Sequence, residues 1–299
     1  MSIARRAAGL IIGLMVGGAH GDVPGSECRL ALLGGEHGYG YSLSISEDIL
    51  ALLGDSTKIP AANSVYMFER VGVSWTLQGE IGPRGQSTGD GFASTVAMDG
   101  DRIVAGSPYA PAKGIYSGKA HIFESLPTGL AEWVLLPESI NSYDYFGYSG
   151  SSDGDAAVIG AKGVLGDRGA AFVYRFDGAN WNLEAQLDPS TVIGYPQFGY
   201  AVGISGDVIV VGAYTDDAKG SDSGAAYIFE RSPLGVWKEK AKVVGSGIDG
   251  HDFFGQSVAV SGGTVLVGAP GEGSFDFPGG AYVFDRLPTG EWVETAKLG

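Results

Sequence analysis

The sequence has almost no cysteine and few basic residues. Cys28 is the only cysteine among 299 residues, so no internal disulfide can form, and the chain is long enough for a core that needs none. Lysine and arginine number 19 against 34 aspartates and glutamates, which gives a net charge of −15. A nucleic-acid-binding protein needs basic residues that neutralise phosphates, so this composition argues against a nucleic-acid partner.

Long apolar runs are lacking beyond the N-terminus. No segment after residue 21 approaches the roughly 20 apolar residues of a spanning helix, so we expect no membrane span in residues 22–299. The N-terminus itself has Arg5 and Arg6, followed by an apolar stretch to Gly18 and small residues around Ala19. This pattern predicts a signal peptide over residues 1–21 and a secreted or cell-envelope location. An uncleaved N-terminal anchor is the alternative.

Glycine, in contrast, is abundant, with 51 residues and no three-residue period, which favours many tight turns. Phrases such as "FGYAVGISGDVIVVGAY" and "FFGQSVAVSGGTVLVGAPGEG" are versions of one repeat. The aromatic residue near the start of each unit recurs after 53, 54, 52 and 56 residues, a period typical of solenoids and propellers. Each unit also contains one of the five tryptophans. The aromatics are Tyr39, Phe92, Phe146, Phe198 and Phe254, and the tryptophans are Trp75, Trp133, Trp181, Trp237 and Trp292.

Each unit has the pattern of four short strands. In the fourth unit these are "AVGIS", "VIVVG", "AYIFER" and "WKEKAKVV", with a turn at Ser205-Gly206-Asp207 between the first two. The second strand is an unbroken apolar run, as expected for a strand buried on both faces. We therefore predict an all-β fold, a β-propeller of about five four-stranded antiparallel blades, over residues 22–299. An extra segment near residue 30 resembles a fourth strand and leaves open whether five blades close a ring or belong to a longer propeller.

The Phe-Gly and Gly-Ala-Pro motifs at this separation resemble the FG-GAP repeat of integrin α-subunits and many exported bacterial proteins. The fifth unit is complete, with Phe254-Gly255 and Gly268-Ala269-Pro270, and the other units depart from it at one or more positions. The resemblance spans about residues 30–299 and implies the propeller fold, but propellers host many unrelated functions. Integrin-type repeats also carry a calcium loop of the pattern D-x-D-x-D-G. The corresponding turns here are too short to supply the six to eight oxygens that Ca²⁺ requires, so no calcium site is implied.

No catalytic, cofactor-binding or metal-binding residue is predicted. The four histidines lack metal-ligand spacing, and no nucleophile elbow of the G-x-S-x-G type occurs. Acids that recur in several units, such as Asp90, Asp144 and Asp252 before the motif phenylalanines, are expected to cap turns between blades. The chain is therefore predicted not to be an enzyme.

The most variable segments join the second strand to the third. All should emerge on one face of the propeller, where binding residues commonly gather. The functional interpretation is a face that binds a protein or glycan, and the alternative is a set of solvated loops. Three of the aspartates also leave open a weak cation site. The candidate binding residues are Tyr109, Tyr116, Tyr214, Asp216, Asp217, Asp222, Phe275, Asp276 and Phe277.

Three functions are compatible with these patterns. The leading hypothesis is an exported, non-catalytic interaction module that binds a protein or glycan through the loops of one face. The second is a propeller-fold glycoside hydrolase or lyase, which needs two carboxylates about 5–10 Å apart across its substrate. No pair of acids stands apart from the repeat pattern. The third is a set of structural blades within a larger cell-surface protein.

Overall fold

The computed structural model describes residues 11–12, 42–53, 64–84, 89–126, 129–273 and 279–298. They form five antiparallel sheets, and within each sheet the four strands of one unit follow each other in chain order. The predicted all-β propeller of about five four-stranded blades is confirmed. The first sheet has a fifth strand, because Ile11–Ile12 pairs with Trp75 and Thr76 at its edge. These two residues lie within the predicted signal peptide, which stays a prediction. The rest of that segment, Cys28 and Tyr39 lie outside the described residues.

Blade 1 comprises β1–β5, blade 2 β6–β9, blade 3 β10–β13, blade 4 β14–β17 and blade 5 β18–β21. The described helix, α1 (Val164–Asp167), is a single turn. The strands are β1 (Ile11–Ile12), β2 (Leu43–Ser46), β3 (Ile49–Leu53), β4 (Val65–Val71), β5 (Ser74–Ile81), β6 (Val96–Asp99), β7 (Arg102–Ser107), β8 (Lys119–Leu126), β9 (Gly129–Leu135), β10 (Phe146–Asp153), β11 (Ala156–Ala161), β12 (Ala170–Phe176), β13 (Trp181–Leu187), β14 (Ala201–Ser205), β15 (Val208–Ala213), β16 (Ala225–Arg231), β17 (Trp237–Val243), β18 (Ser257–Ser261), β19 (Thr264–Ala269), β20 (Gly280–Arg286) and β21 (Trp292–Leu298).

The first strands of neighbouring blades lie side by side around a common axis. In blades 1 to 4 the side chain that ends the first strand accepts a hydrogen bond from the turn of the next blade. Asp99 Oδ2 accepts from Gly154 N at 2.5 Å, and Ser205 Oγ accepts from Gly262 N at 3.1 Å. The short acidic turns therefore connect blades to each other.

Apolar packing between consecutive blades supplies the core. Each of the four interfaces between consecutive blades has its own apolar cluster, in which one face of a sheet packs against the facing side of the next sheet. The motif phenylalanines Phe92, Phe146, Phe198 and Phe254 are fully buried. Burying a phenylalanine side chain stabilises a fold by roughly 1.5–3 kcal/mol, so the motif phenylalanine makes a principal contribution in blades 2 to 5.

The tryptophans lie in the outermost strands. Trp181 and Trp237 are buried, whereas Trp75, Trp133 and Trp292 are only half-buried. The indole of Trp237 donates to Glu184 of the preceding blade at 3.1 Å, and Trp292 donates to Glu230 at 3.0 Å. The tryptophans therefore stabilise the rim of the blade interfaces through both packing and hydrogen bonds.

Among the described residues, no helix is long and apolar enough to cross a membrane.

Candidate functional site

The loops between the second and third strands lie on the same face as the linkers that lead into each following blade. Backbone hydrogen bonds join the two kinds of segment. Tyr143 N donates to Ile115 O at 2.7 Å, and Tyr145 N donates to Tyr116 O at 3.0 Å. His251 N donates to Ser221 O at 2.8 Å between blades 4 and 5. Residues far apart in sequence are thus held next to each other on this face.

Four tyrosines meet between blades 2 and 3. The rings of Tyr109 and Tyr116 have centroids 5.8 Å apart and meet edge to face, and Tyr116 stacks on Tyr145 at 6.0 Å. Tyr143 also contacts Tyr116 at 6.0 Å. Tyr109, Tyr116 and Tyr143 are 39%, 44% and 52% exposed, so these rings are open to a partner.

A lysine extends this cluster toward blades 4 and 5. The ammonium of Lys162 lies 4.1 Å from the ring centroid of Tyr148 and 5.4 Å from that of Tyr200. Tyr200 in turn contacts Tyr214 at 4.1 Å, and Tyr214 contacts Phe253 at 6.0 Å. The rings and the lysine form one contiguous surface, which we call the tyrosine surface. Its members are Tyr109, Tyr116, Tyr143, Tyr145, Tyr148, Lys162, Tyr200, Tyr214 and Phe253.

Burial shifts the pKa values of several side chains on the tyrosine surface. It raises the pKa of Tyr148 far above its usual value, and a hydrogen bond with Tyr200 adds to the shift. It also raises the pKa of Tyr214. Burial lowers the pKa of Lys162, against the opposing charge of Asp167. No carboxylate of the described residues lies within 4.0 Å of the Lys162 ammonium, so aromatic faces replace an ion pair as its immediate surroundings.

Several aromatic residues of this face have left-handed backbone conformations. Tyr116, Tyr143 and Tyr145 have φ values of 52°, 68° and 54°. Blade 2 has glycine at the positions equivalent to the last two, Gly89 and Gly91, where a positive φ carries no steric cost. Bulky residues in this region cost of order 1–3 kcal/mol, and such strain concentrates at functional sites. The same conformation recurs at Gln197 and Phe253, which are equivalent to Tyr145 in blades 4 and 5, so the repeat itself requires it. What argues for function is the choice of tyrosine where blade 2 has glycine.

The structure places three predicted binding residues on this surface. Tyr109 and Tyr116 contact each other and Tyr145. Tyr214 is connected to Tyr145 through Tyr200, Tyr148 and the ammonium of Lys162. Phe275, Asp276 and Phe277 lie outside the described residues.

The prediction for Asp216 is wrong, because this residue is fully buried. Both of its carboxylate oxygens lie 2.9 Å from the Lys242 ammonium, and the Tyr227 hydroxyl donates to it at 2.8 Å. Glu272 forms the same arrangement with Tyr282 and Lys297 in blade 5. A group that is buried and ion-paired in two blades is part of the scaffold and cannot contact a partner.

The other two loop aspartates remain near the surface. Asp217 Oδ1 accepts from Asp222 N at 2.8 Å, which fixes the loop, and Asp222 Oδ2 lies 3.5 Å from His251 Nδ1. Among the described residues, no group of three His, Cys, Asp or Glu side chains is close enough to hold a metal ion.

Sequence reasoning missed Tyr143, Tyr145, Tyr148, Lys162 and Tyr200. Most of them lie in or just after the linkers between blades, whereas the prediction considered the variable loops alone. The phrase "SYDYFGY" at 142–148 has three tyrosines in seven residues, and "FGY" recurs at Phe198. Both phrases could have directed attention to the linkers, because in a propeller these emerge on the same face as the loops.

Comparison with known proteins agrees with this architecture. The FG-GAP repeat model matches residues 75–123, 132–174, 181–229 and 237–284. Each of these matches begins near the last strand of one blade and ends within the third strand of the next, so the sequence repeat is offset from the blade by one strand. No curated protein matches the sequence.

Among solved structures, one of a protein from Lactobacillus plantarum is similar in fold. It has a TM-score of 0.55 and 14% identity, over 87% of this chain and 70% of that one. The repeat matches cover most of the described blades, and the motif residues they share hold the blade interfaces. The chain therefore belongs to the FG-GAP repeat family.

Proposed function

We propose that this chain is an exported, non-catalytic interaction module that binds a protein or glycan partner through the tyrosine surface. The observation that carries the proposal is the convergence of seven tyrosines from blades 2, 3 and 4 into one surface, three of whose rings surround Lys162. Tyrosine offers a large apolar ring with a polar end at a small cost in side-chain entropy, which is why it is enriched at binding interfaces.

The electrostatic setting supports binding of a polar or anionic group. Among the described residues, no carboxylate lies within 4.0 Å of the Lys162 ammonium, which is held over aromatic rings, so it keeps donors for a ligand. The tyrosine hydroxyls provide further donors and acceptors around it. A saccharide with ring faces and hydroxyl groups matches this mixture, and so does a polar peptide.

The non-catalytic part of the proposal rests on the buried acids. Asp216 and Glu272 pair with lysines of their own blades, and Glu184 and Glu230 pair with arginines and tryptophans across blade interfaces. These carboxylates have structural partners, whereas a hydrolase needs an acid and a base directed toward substrate. Export is supported by the N-terminal sequence pattern and by family membership.

The test compares the wild type with a variant that lacks the three most exposed rings, Tyr109→Ala/Tyr116→Ala/Tyr143→Ala. Both proteins are applied to a printed panel of neutral and uronic-acid polysaccharides and to proteins of the native extracellular medium. For each polysaccharide or protein that the wild type binds, we expect the affinity of the triple variant to be at least tenfold lower, because clustered aromatic residues dominate binding energy.

The matched control is Leu234→Ala, because Leu234 is a large, 91% exposed residue in a turn between third and fourth strands on the opposite face. This control should bind as the wild type does. If the triple variant binds a partner with the same affinity as the wild type, the proposed binding surface is refuted. Turnover of any polysaccharide on the panel would instead favour the hydrolase or lyase.

A further inference from the structure

One leucine next to the tyrosine surface has a backbone conformation that leucine rarely adopts. Leu165 has φ 53° and ψ 41°, in the left-handed region, and it is 75% exposed. It follows Lys162 by three residues in the same loop. A Cβ atom on Gly163, between the two, would lie 2.9 Å from the ring of Tyr145. The loop that carries Leu165 therefore packs directly against the tyrosine surface.

The repeat requires a positive φ at this position but does not require leucine. The equivalent residues of blades 2 and 4 are Gly114 and Gly220, with φ values of 140° and 129°. Each of the three residues lies four positions before the glycine that forms a parallel bridge with the next motif phenylalanine. Glycine has a positive φ without steric cost, and leucine does not. Because Leu165 is also largely exposed, packing within the chain does not explain the choice of leucine, whereas a contact with a partner does.

Two more exposed aliphatic side chains border the tyrosine surface. Ile115, the chain neighbour of Tyr116, is 56% exposed. Ile193 is 51% exposed and lies in the linker next to the blade 4 loop, where its carbonyl accepts from Asp217 N at 3.3 Å. Exposed aliphatic side chains around aromatic rings are typical of surfaces that contact other proteins. They suit a polypeptide better than a saccharide, because they cannot pair with saccharide hydroxyl groups.

The basic side chains of these loops differ in whether they have an oxygen partner. Lys113 Nζ pairs with Glu138 at 2.8 Å, and Lys219 Nζ donates to Gly245 O at 2.8 Å. Among the described residues, no oxygen has this role for Lys162, whose ammonium lies 4.1, 5.4 and 5.6 Å from three tyrosine ring centroids. The group that complements an ammonium in such surroundings is a carboxylate.

The charge of the whole chain distinguishes a single carboxylate from a polyanion. The chain has a net charge of −15, so a polyuronate is repelled along its length. A single carboxylate over Lys162 is attracted at contact distance, and salt screens more distant charges beyond about 8 Å. The ligand group that fits Lys162 is therefore one carboxylate in an otherwise uncharged, apolar setting.

We propose that the tyrosine surface binds a polypeptide segment that presents one carboxylate next to apolar side chains. Lys162 pairs with the carboxylate, and Leu165 contacts an apolar side chain of the segment. This partner class rests on the proposed function of the tyrosine surface, and it selects a protein over a glycan. Lys162 and Leu165 then determine specificity, whereas the tyrosine rings supply most of the contact area.

The probe is a library of random dodecapeptides displayed on phage and selected on the immobilised wild type. The Tyr109→Ala/Tyr116→Ala/Tyr143→Ala variant is present in solution during selection, so phage that bind elsewhere on the chain are washed away. We expect the retained peptides to share an aspartate or glutamate next to leucine, isoleucine, valine or phenylalanine. The most enriched peptide is synthesised in this form and in a second form with carboxamides in place of its carboxylates.

The two peptides test the role of Lys162 by fluorescence anisotropy. The wild type should bind the carboxylate form about tenfold more tightly than the carboxamide form, because the former makes a charge-assisted hydrogen bond. Lys162→Met keeps the length and apolar stem of the side chain and should bind both forms equally. Lys162→Arg should retain the preference. Lys162→Gln replaces Lys162→Met if circular dichroism shows that the latter does not fold.

Leu165→Gly places the residue of blades 2 and 4 in blade 3. Its affinity for both peptides should fall about fivefold or more, while its thermal midpoint stays at or above that of the wild type because the strain is removed. Leu165→Ala retains the strained Cβ atom, so it should lose as much affinity without a gain in midpoint. Leu234→Ala should bind as the wild type does. A purely structural leucine would give a lower midpoint and an unchanged affinity.

The outcomes separate this partner class from the proposed function. A selection that yields no peptide dependent on the tyrosine surface would overturn the polypeptide partner. The proposed function survives that result if a polysaccharide binds the wild type and not the triple tyrosine variant. Equal binding of the two peptides by the wild type, a preference retained by Lys162→Met, or wild-type affinity of Leu165→Gly would each overturn it as well. The proposed function itself fails if the triple variant binds every probe as the wild type does.

Discussion

The contact between Gly212 of blade 4 and Gly255 of blade 5 allows a direct test of how the blades are held together. Gly212 is not in a left-handed conformation, so alanine fits its backbone dihedrals. Its Cβ, however, would overlap the Gly255 carbonyl oxygen and lie 3.0 Å from the carbonyl carbon. Carbon atoms normally approach to about 3.5–4.0 Å, so the two backbones must separate by several tenths of an ångström or more.

The cost follows from what that separation disturbs. Both clashing atoms belong to backbones, which cannot rotate away as a side chain can. Moving blade 5 outward loosens the buried Phe254 and lengthens its hydrogen bond to Ser223. Overpacking typically costs 1–3 kcal/mol, and we expect Gly212→Ala to reach or exceed about 3 kcal/mol. For a chain of this size that corresponds to a fall of roughly 6–12 °C in the unfolding midpoint.

Gly268→Ala is the matched control, because Gly268 occupies the same motif position in the last blade. There the nearest backbone atom to the added Cβ is Ser257 O at 3.9 Å, and only the Ser257 hydroxyl has to rotate. The midpoint of this variant, measured by calorimetry at low micromolar concentration, should stay within about 3 °C of the wild type. A Gly212→Ala midpoint as close to the wild type as that of Gly268→Ala would refute the packing argument.

Two further perturbations test the rim and one buried titratable group. Trp237→Ala removes a buried indole and its hydrogen bond to Glu184, so the free energy of unfolding should fall by about 3–5 kcal/mol in denaturant titrations. An unchanged midpoint would contradict a stabilising role of this tryptophan at the rim. Burial, with the nearby Lys119 charge, lowers the pKa of His121 despite its bond to Glu132, so the unfolded state binds more protons. The wild type should therefore lose stability relative to His121→Gln as the pH falls below about 6.5, and parallel stability profiles of the two proteins would contradict this.

The scaffold could be predicted from the sequence because each of its contacts is made several times. Phe254 and its equivalents mark the start of every unit, and repetition at a constant spacing is visible without coordinates. The five tryptophans recur just as regularly, yet Trp75, Trp133 and Trp292 are only half-buried at the rim. One-dimensional spacing identifies equivalent positions, but it does not give the depth at which each position lies.

The candidate site was less predictable because it depends on contacts between units. Tyr116 and Tyr145 are 29 positions apart and meet only because a linker hydrogen-bonds to the preceding loop. Asp216 seemed available because its loop is variable, yet its partner Lys242 lies 26 residues further on. The parallel group of Glu272 and Lys297 in blade 5 would have identified it as scaffold.

The tyrosine surface departs from the repeat in residue type. The position before the motif phenylalanine has a positive φ in blades 2, 3 and 4, where it is Gly91, Tyr145 and Gln197. The scaffold therefore requires the left-handed conformation at this position but not an aromatic ring, so the scaffold alone gives no reason for the tyrosine of blade 3. Removing the exposed rings of the tyrosine surface should therefore lower the affinity for the partner while the chain stays folded.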